Sequence, residues 1–213
     1  LGGDCSSGQQ RQLAITALGS VSPARPIRRR DGRPGDRLVA SGPHGLSRLG
    51  LALLLGTLDQ AHTNQLSDAL WQRALQAHRR PKPRFDVVEA LQHSQPPGSP
   101  WRVGGTDSSD GLVAAAAAIA SASHCVAALD HQRLPLEPAM AALPQAEAWC
   151  LAGGEDFELI LALEPRWAQA LCNAAPDCQV IGELQPRGTR DPVVWLANGT
   201  AISRELSGYC HFH

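Results

Sequence analysis

Gly104-Gly105-Thr106-Asp107-Ser108-Ser109-Asp110-Gly111 runs directly into an alanine-rich segment. Alanine is the best helix former, so residues 111–123 are predicted to form a helix whose first turn sits at residues 109–111. Asp107 and Asp110 stand three residues apart and can bracket one Mg²⁺ ion, while a helix N-terminus favours a phosphate. The structural alternative is that Ser109 or Asp110 only caps the helix.

Two further segments place carboxylates beside glycines. They are Gly153-Gly154-Glu155-Asp156-Phe157-Glu158 and, near the start of the chain, Gly2-Gly3-Asp4. Glycine lets the backbone turn tightly and approach a ligand closely. Each segment alone has an ordinary interpretation as a turn. Three of them in a chain with 18% charged residues indicate a site for a metal ion and phosphate groups.

The composition excludes several classes of protein. The 213 residues carry 19 basic and 20 acidic side chains, so the net charge of −1 argues against a nucleic-acid binder. Apolar runs such as Leu51 to Leu55 are far too short to span a membrane. Six scattered cysteines form no CxxC pair, which predicts reduced thiols in a cytoplasmic protein. Neither a GxSxG elbow nor a Walker A loop is present, and the histidines are scattered singly.

Strand and helix patterns mix along the whole chain, which predicts an α/β or α+β class. A domain boundary is predicted at Ser22-Pro23-Ala24-Arg25-Pro26. Helices are predicted after Gly45, from Thr63 or Asn64 to Ala77, and over residues 85–91 and 166–174. The predicted strands cover residues 12–21, 37–41, 159–163, 179–181 and 193–196.

The order of the motifs resembles the C-terminal portion of the thiamine-monophosphate kinases, of the AIR-synthetase-like superfamily. The segments that carry this resemblance are Gly2-Gly3-Asp4, Arg30 to Asp36, Pro81 to Arg84, Asp107 to Leu112, Gly153 to Leu159 and Gly208 to Phe212. The resemblance implies an α/β C-terminal domain over residues 23–213, with a mixed sheet flanked by helices. Residues 1–22 would be the end of a truncated N-terminal ATP-binding domain, with a remnant strand at residues 8–22.

The resemblance also implies an activity, the Mg²⁺-dependent transfer of the ATP γ-phosphoryl group to thiamine monophosphate, giving thiamine diphosphate. It assigns the Mg²⁺ ion to Asp4, Asp107 and Asp110. It assigns contacts with ATP to Gly3, Asp4, Arg30 and Ser109, with Arg29 as the alternative to Arg30. The acceptor phosphate is already ionised at neutral pH, so no catalytic base is expected.

Glu155 and Tyr209 would contact the thiamine part of the substrate, and the resemblance implies a homodimer for the full-length protein. Three positions depart from the family pattern: Cys210 replaces an aspartate, Ser108 an apolar residue and Thr106 a methionine. Because the N-terminal domain of the family is missing, we expect this chain alone to be inactive. Two alternatives remain open, another ATP-using enzyme of the superfamily and a degenerate, non-catalytic ligand-binding module.

Overall fold

A seven-stranded mixed sheet forms the centre of the molecule. The computed structural model describes residue 16, residues 18–188 and residues 191–202. The strands are β1 (Ile27–Arg28), β2 (Arg37–Ala40), β3 (Val103–Asp107), β4 (Cys125–Leu129), β5 (Leu159–Leu163), β6 (Gln179–Pro186) and β7 (Val193–Trp195). They lie in the order β1-β3-β5-β2-β6-β4-β7, and the pairs β1/β3 and β4/β7 are parallel while the others are antiparallel. The predicted α/β class with a mixed sheet is confirmed.

Helices cover both faces of the sheet. They are α1 (Leu46–Leu55), α2 (Gln60–Thr63), α3 (Asp68–Arg79), α4 (Phe85–His93), α5 (Leu112–Ala122), α6 (Ala146–Ala152) and α7 (Pro165–Ala174). Helices α5 and α6 pack on one face and helices α4 and α7 on the other. On the second face the fully buried Trp167 donates its indole N–H to the Leu91 carbonyl at 3.1 Å. A third apolar cluster joins α1 to α3.

Strand β3 contains the glycine pair that the sequence pattern places in a loop. A Cβ atom on Gly104 would lie 2.9 Å from the backbone nitrogen of Gly32, and one on Gly105 would lie 2.8 Å from Cγ2 of Ile27. Glycine in a strand marks such close approaches, because any side chain would push the neighbouring segment away. The glycines therefore serve sheet packing, and the loop begins only after Asp107.

Two helix boundaries differ from their predicted positions. Helix α3 begins after Ser67, whose hydroxyl accepts a hydrogen bond from the backbone N–H of Leu70 at 3.2 Å, rather than at Thr63 or Asn64. The separate short helix α2 ends at Thr63, and its N-cap is Asp59. Asp59 caps α2 and Ser67 caps α3, so the chain forms two helices where the sequence pattern predicts one.

The predicted strand near the start of the chain lies mostly outside the described residues. Of the segment 8–22, the structure describes residues 16 and 18–22, and these form no strand. A turn follows at residues 23–25, where the domain boundary was predicted. Among the described helices, none has the length and apolar character needed to cross a membrane.

Candidate functional site

The loop between β3 and α5 carries the first acidic motif. Asp107 and Asp110 are exposed, Ser108 between them is fully buried, and Gly111 is the N-cap of α5 with φ = +108°. The cap position is therefore Gly111 rather than Ser109 or Asp110. Burial alone would raise the pKa of Asp107, but hydrogen bonds involving Ser109 outweigh this effect and hold the pKa below its usual value. The Asp107 carboxylate is thus negatively charged at neutral pH.

The second acidic motif packs directly against the first. The backbone N–H of Glu155 donates to the Ser109 carbonyl at 2.7 Å, and that of Ser108 donates to the Glu158 carbonyl at 2.9 Å. Gly154 has φ = +67°, and a Cβ atom there would lie 2.8 Å from the Ser109 carbonyl oxygen. The pairing of β3 with β5 reinforces these contacts. The two motifs, far apart in the sequence, form one backbone unit.

Two carboxylates of the second motif hold the scaffold together. Asp156 accepts hydrogen bonds from the backbone N–H groups of Gly45 at 2.8 Å and Ser47 at 3.0 Å, so it caps α1 from another part of the chain. Burial raises the pKa of Asp156 to about 6, although these two hydrogen bonds oppose the effect. Glu158 accepts from Nη1 of Arg84 at 2.7 Å and from the Ser41 hydroxyl.

Glu155 is the carboxylate of this motif that faces solvent. Its side chain is 61% exposed, and Oε2 lies 3.6 Å from Nδ1 of His78 on α3. Glu155 and Phe157 have φ values of +58° and +54°, a region that residues other than glycine rarely adopt. Strain of this kind persists where the surroundings impose it, often at binding sites.

His44 contacts the first motif from the interior of the protein. Its ring is buried, Nδ1 lies 3.1 Å from the Gly42 carbonyl and Nε2 lies 2.9 Å from the Ser108 hydroxyl. A carbonyl only accepts, so Nδ1 donates and Nε2 accepts from Ser108. Desolvation lowers the pKa of His44 to about 4, so the ring is neutral. Sequence reasoning missed this pair, although a polar Ser108 at a position expected to be apolar signals a buried partner.

Arg30 is the arginine expected to contact ATP, but its neighbour Arg29 is the one that bonds strand β3. Nε of Arg29 donates to the Thr106 hydroxyl at 3.1 Å, and that hydroxyl lies 3.3 Å from Oδ1 of Asp107. Arg30 is exposed on the same short 3-10 turn, residues 29–31. Arg29, the alternative in the sequence prediction, is therefore the arginine linked to the strand that carries Asp107.

Two cavities open beside the second motif. The larger, of about 860 Å³, lies between α1, α3 and the segment Pro81 to Pro83, with Asp156 and Glu158 in its wall. The smaller, of about 290 Å³, is mostly apolar and includes Phe85 and Phe157 in its wall.

The remaining predicted site residues, Gly3, Asp4 and Tyr209, lie outside the described residues. Within the described part of the chain, no group of three His, Cys, Asp or Glu side chains is arranged to hold a metal ion. Mg²⁺ usually takes one or two protein carboxylates together with phosphate oxygens and water, so the donor set of Asp107 and Asp110 fits that ion when phosphates complete it.

Comparison with known proteins gives consistent matches. The family model described as "AIR synthase related protein, C-terminal domain" matches residues 33–194. The thiamine-monophosphate kinase of Prochlorococcus marinus is 41% identical over 206 residues, covering 97% of this chain and 60% of that protein. The thiamine-monophosphate kinase of Synechococcus elongatus is 45% identical over 215 residues, covering 100% of this chain and 62% of that protein. The chain thus spans about three fifths of the length of these relatives.

Solved structures show the same fold. The structure described as AaThiL complexed with AMPPCP and TMP has a TM-score of 0.67 and 27% identity, covering 88% of this chain and 55% of that one. Thiamine-monophosphate kinase from Stenotrophomonas maltophilia has a TM-score of 0.68 and 25% identity, covering 85% of this chain and 56% of that one.

Proposed function

This chain belongs to the AIR synthase related proteins, whose C-terminal domain it contains, and from that membership we propose that it forms part of a kinase. The kinase transfers the γ-phosphoryl group of ATP to thiamine monophosphate and releases thiamine diphosphate. The observation that carries the proposal is the contact between the two acidic motifs, where the Glu155 N–H bonds the Ser109 carbonyl. This contact sets the segment expected to bind thiamine beside the one expected to bind nucleotide and metal.

The chemistry requires charge neutralisation rather than proton removal. The acceptor oxygen of thiamine monophosphate is ionised at neutral pH, so the barrier comes from repulsion between two anions. Asp107 and Asp110, together with Asp4, would hold Mg²⁺, which supplies positive charge to the phosphates when bound. The neutral, buried His44 is consistent with a reaction that needs no histidine base.

The other residues would bind and orient the substrates. Ser109 and Gly3 would contact ATP, and Arg30 or its neighbour Arg29 would contact the phosphates. Glu155 would favour the cationic part of thiamine, with Tyr209 stacking on a substrate ring. The homodimer, the cytoplasmic location and the absence of nucleic-acid and membrane partners remain predictions.

The test measures thiamine diphosphate formed from ATP, Mg²⁺ and thiamine monophosphate by the protein as its source produces it. We expect turnover, and Asp110→Asn should reduce kcat by at least about 100-fold because a charged metal ligand is lost. Asp68→Asn, which changes an exposed carboxylate in the first turn of α3, is the matched control and should leave kcat unchanged.

Other results would favour the alternatives. ATP turnover with a different acceptor would indicate another enzyme of the superfamily, and thiamine binding without turnover would indicate a non-catalytic module. For the 213-residue chain alone we predict no product, because Asp107 and Asp110 would lack the remaining metal-binding aspartates of the family. Product formation by this chain would contradict that prediction.

A further inference from the structure

We propose that Thr106 is a positioning residue for ATP, whose hydroxyl holds the guanidinium of Arg29 beside Asp107 before the nucleotide binds. The inference rests on the proposed function and assigns the phosphate contact to Arg29 rather than to Arg30. Nε of Arg29 donates to the Thr106 hydroxyl at 3.1 Å, and that hydroxyl donates to Oδ1 of Asp107 at 3.3 Å. A hydroxyl accepts and donates at once, so the three side chains form one chain of hydrogen bonds.

The bond to Thr106 uses only one of the three nitrogens of the Arg29 guanidinium. Among the described residues, this guanidinium makes no other hydrogen bond and no ion pair. The preceding Arg28 differs, because its Nη1 lies 3.7 Å from a carboxylate oxygen of Asp31. Arg29 therefore keeps both Nη groups for a ligand, and this pair of donors matches two oxygens of a phosphate group.

The Thr106 hydroxyl also keeps two opposite charges apart. A guanidinium in direct contact with a carboxylate forms a bidentate ion pair, which would occupy the Nη groups of Arg29 and the oxygens of Asp107 together. Because the hydroxyl lies between them, Asp107 stays available to a metal ion and Arg29 to a phosphate. The family pattern has a methionine at this position, and a thioether cannot donate a hydrogen bond. The arrangement is therefore a feature of this chain.

The backbone that carries Arg29 is held from two sides. The hydroxyl of Ser123, directly after α5, donates to the Arg29 carbonyl at 2.8 Å and accepts from the Gly32 N–H at 3.1 Å. Nη1 of Arg102 donates to the Asp31 carbonyl at 3.0 Å. Since these bonds fix the turn, the position of the guanidinium depends on its side-chain bond to β3. A side chain already held in its binding position loses less freedom when the ligand arrives.

The first test measures Michaelis constants in the protein as its source produces it. Thr106→Val keeps the shape but removes the hydroxyl, and should raise the KM for ATP by about 10-fold. The kcat and the KM for thiamine monophosphate should change by less than about twofold. Thr106→Ser retains the hydroxyl and should restore the wild-type KM. Thr57→Val, which removes a hydroxyl bonded to the Ala52 carbonyl at 3.4 Å, is the matched control and should change neither KM.

A double-mutant cycle identifies the arginine on which Thr106 acts. Arg29→Met removes the guanidinium, and should raise the KM for ATP at least as much as Thr106→Val does. Adding Thr106→Val to Arg29→Met should then change the KM by less than about twofold, because the hydroxyl has already lost its partner. In an Arg30→Met background, Thr106→Val should keep its full effect. If the effects of Thr106→Val and Arg29→Met multiply instead, Thr106 does not act through Arg29 and the proposal is overturned.

Calorimetric titration with ATP and Mg²⁺, without thiamine monophosphate, measures binding without turnover. Thr106→Val should raise the Kd for ATP by about 10-fold. If this variant lowers Tm by more than about 5 °C, the exposed Arg29→Met decides in its place. An active kinase in which Arg29→Met changes neither KM nor Kd for ATP would overturn this inference and leave the proposed function standing. A wild-type protein that neither binds ATP nor phosphorylates thiamine monophosphate would overturn both.

Discussion

At the scale of single residues, one hydrogen bond connects the interior to the acidic loop, that between His44 and Ser108. Ser108→Ala removes the donor and leaves Nε2 of the buried ring without a partner, at an expected cost of about 1–3 kcal/mol in the free energy of unfolding. Urea unfolding at pH 7 measures it. Ser121→Ala, on the exposed side of α5, is the control and should change the free energy by less than about 0.5 kcal/mol. Equal effects would contradict a supporting role for the bond.

The buried side chains of His44 and Asp156 should have opposite effects on the free energy of unfolding as the pH falls. The folded pKa of His44 is about 4, against 6.5 when unfolded, so its contribution to stability is complete above pH 6.5 and is lost as the pH falls towards 4. The folded pKa of Asp156 is about 6, against 3.8, so its contribution is present below pH 3.8 and is lost as the pH rises through 6. Between pH 4 and 6 the two slopes have opposite signs.

The variants should separate these slopes. Relative to wild type, His44→Gln should gain free energy of unfolding as the pH falls from 6.5 to 4, by up to about 3 kcal/mol. Asp156→Asn should lose it over nearly the same interval, because only the histidine slope remains. Urea titrations at several pH values provide the measurement, and parallel profiles for the two variants would show that one pKa is wrong.

The sequence predicted where the acidic residues of the second motif lie. It did not predict which carboxylate faces solvent and which ones bond the protein scaffold. Gly153 to Glu158 contains three carboxylates with no difference in pattern. The positive φ values at residues 154, 155 and 157 turn Glu155 outward while Asp156 and Glu158 bond the scaffold. Such backbone angles depend on contacts with the distant Ser109 loop, which local patterns do not contain.

At the scale of elements, Arg84 connects the end of β2, the start of α4 and the start of β5. Its Nη1 donates to the Ser41 carbonyl at 2.6 Å as well as to Glu158. Arg84→Met would leave the mostly buried Glu158 carboxylate without its charge partner, which should cost about 3–5 kcal/mol. The control is Arg37→Met, which breaks the more exposed pair with Glu183 and should cost at most about 1 kcal/mol. Similar costs in urea unfolding would show that burial of Arg84 has no energetic effect.

Elements with a periodic pattern or a strongly apolar run were predicted well, and those that depend on contacts with distant residues were not. The strands at 37–40 and 159–163 and the helices α1, α4, α5 and α7 agree with their predictions within a few residues. Strand β4 was not predicted, because its run Cys-Val-Ala-Ala-Leu contains two alanines, which favour helix, whereas the run Leu-Ile-Leu-Ala-Leu of β5 is dominated by large apolar residues. Strand β3 was not predicted because its glycines reflect contact with residues 27 and 32, which are distant in sequence.

At the scale of the whole molecule, the cysteines report on global unfolding. Of the four described cysteines, Cys125, Cys150 and Cys178 are buried and Cys172 is partly exposed. Burial raises the pKa of all four thiols, that of Cys178 to about 12. Among these four cysteines an alkylating reagent should therefore modify Cys172 first in native protein, while Cys150 and Cys178 react only at the rate of global unfolding. Peptide mass spectrometry resolves the sites, and rapid labelling of Cys150 would contradict this packing.

The architecture of the sheet was predictable only in outline. Mixed helix and strand patterns gave the class, and the resemblance gave a mixed sheet, which the structure confirms. The strand order was not predictable from periodicity, because every antiparallel pair joins strands distant in the sequence. Long-range pairing of this kind leaves no trace in a short window of residues.

The position of β2 has a consequence for synthesis on the ribosome. Both neighbours of this strand, β5 and β6, are translated more than a hundred residues after residues 37–40. At ordinary elongation rates the nascent apolar strand waits for several seconds with its backbone groups unpaired. A growing chain in this condition is a natural client for a chaperone, and stalling translation between residues 40 and 159 should expose it to aggregation.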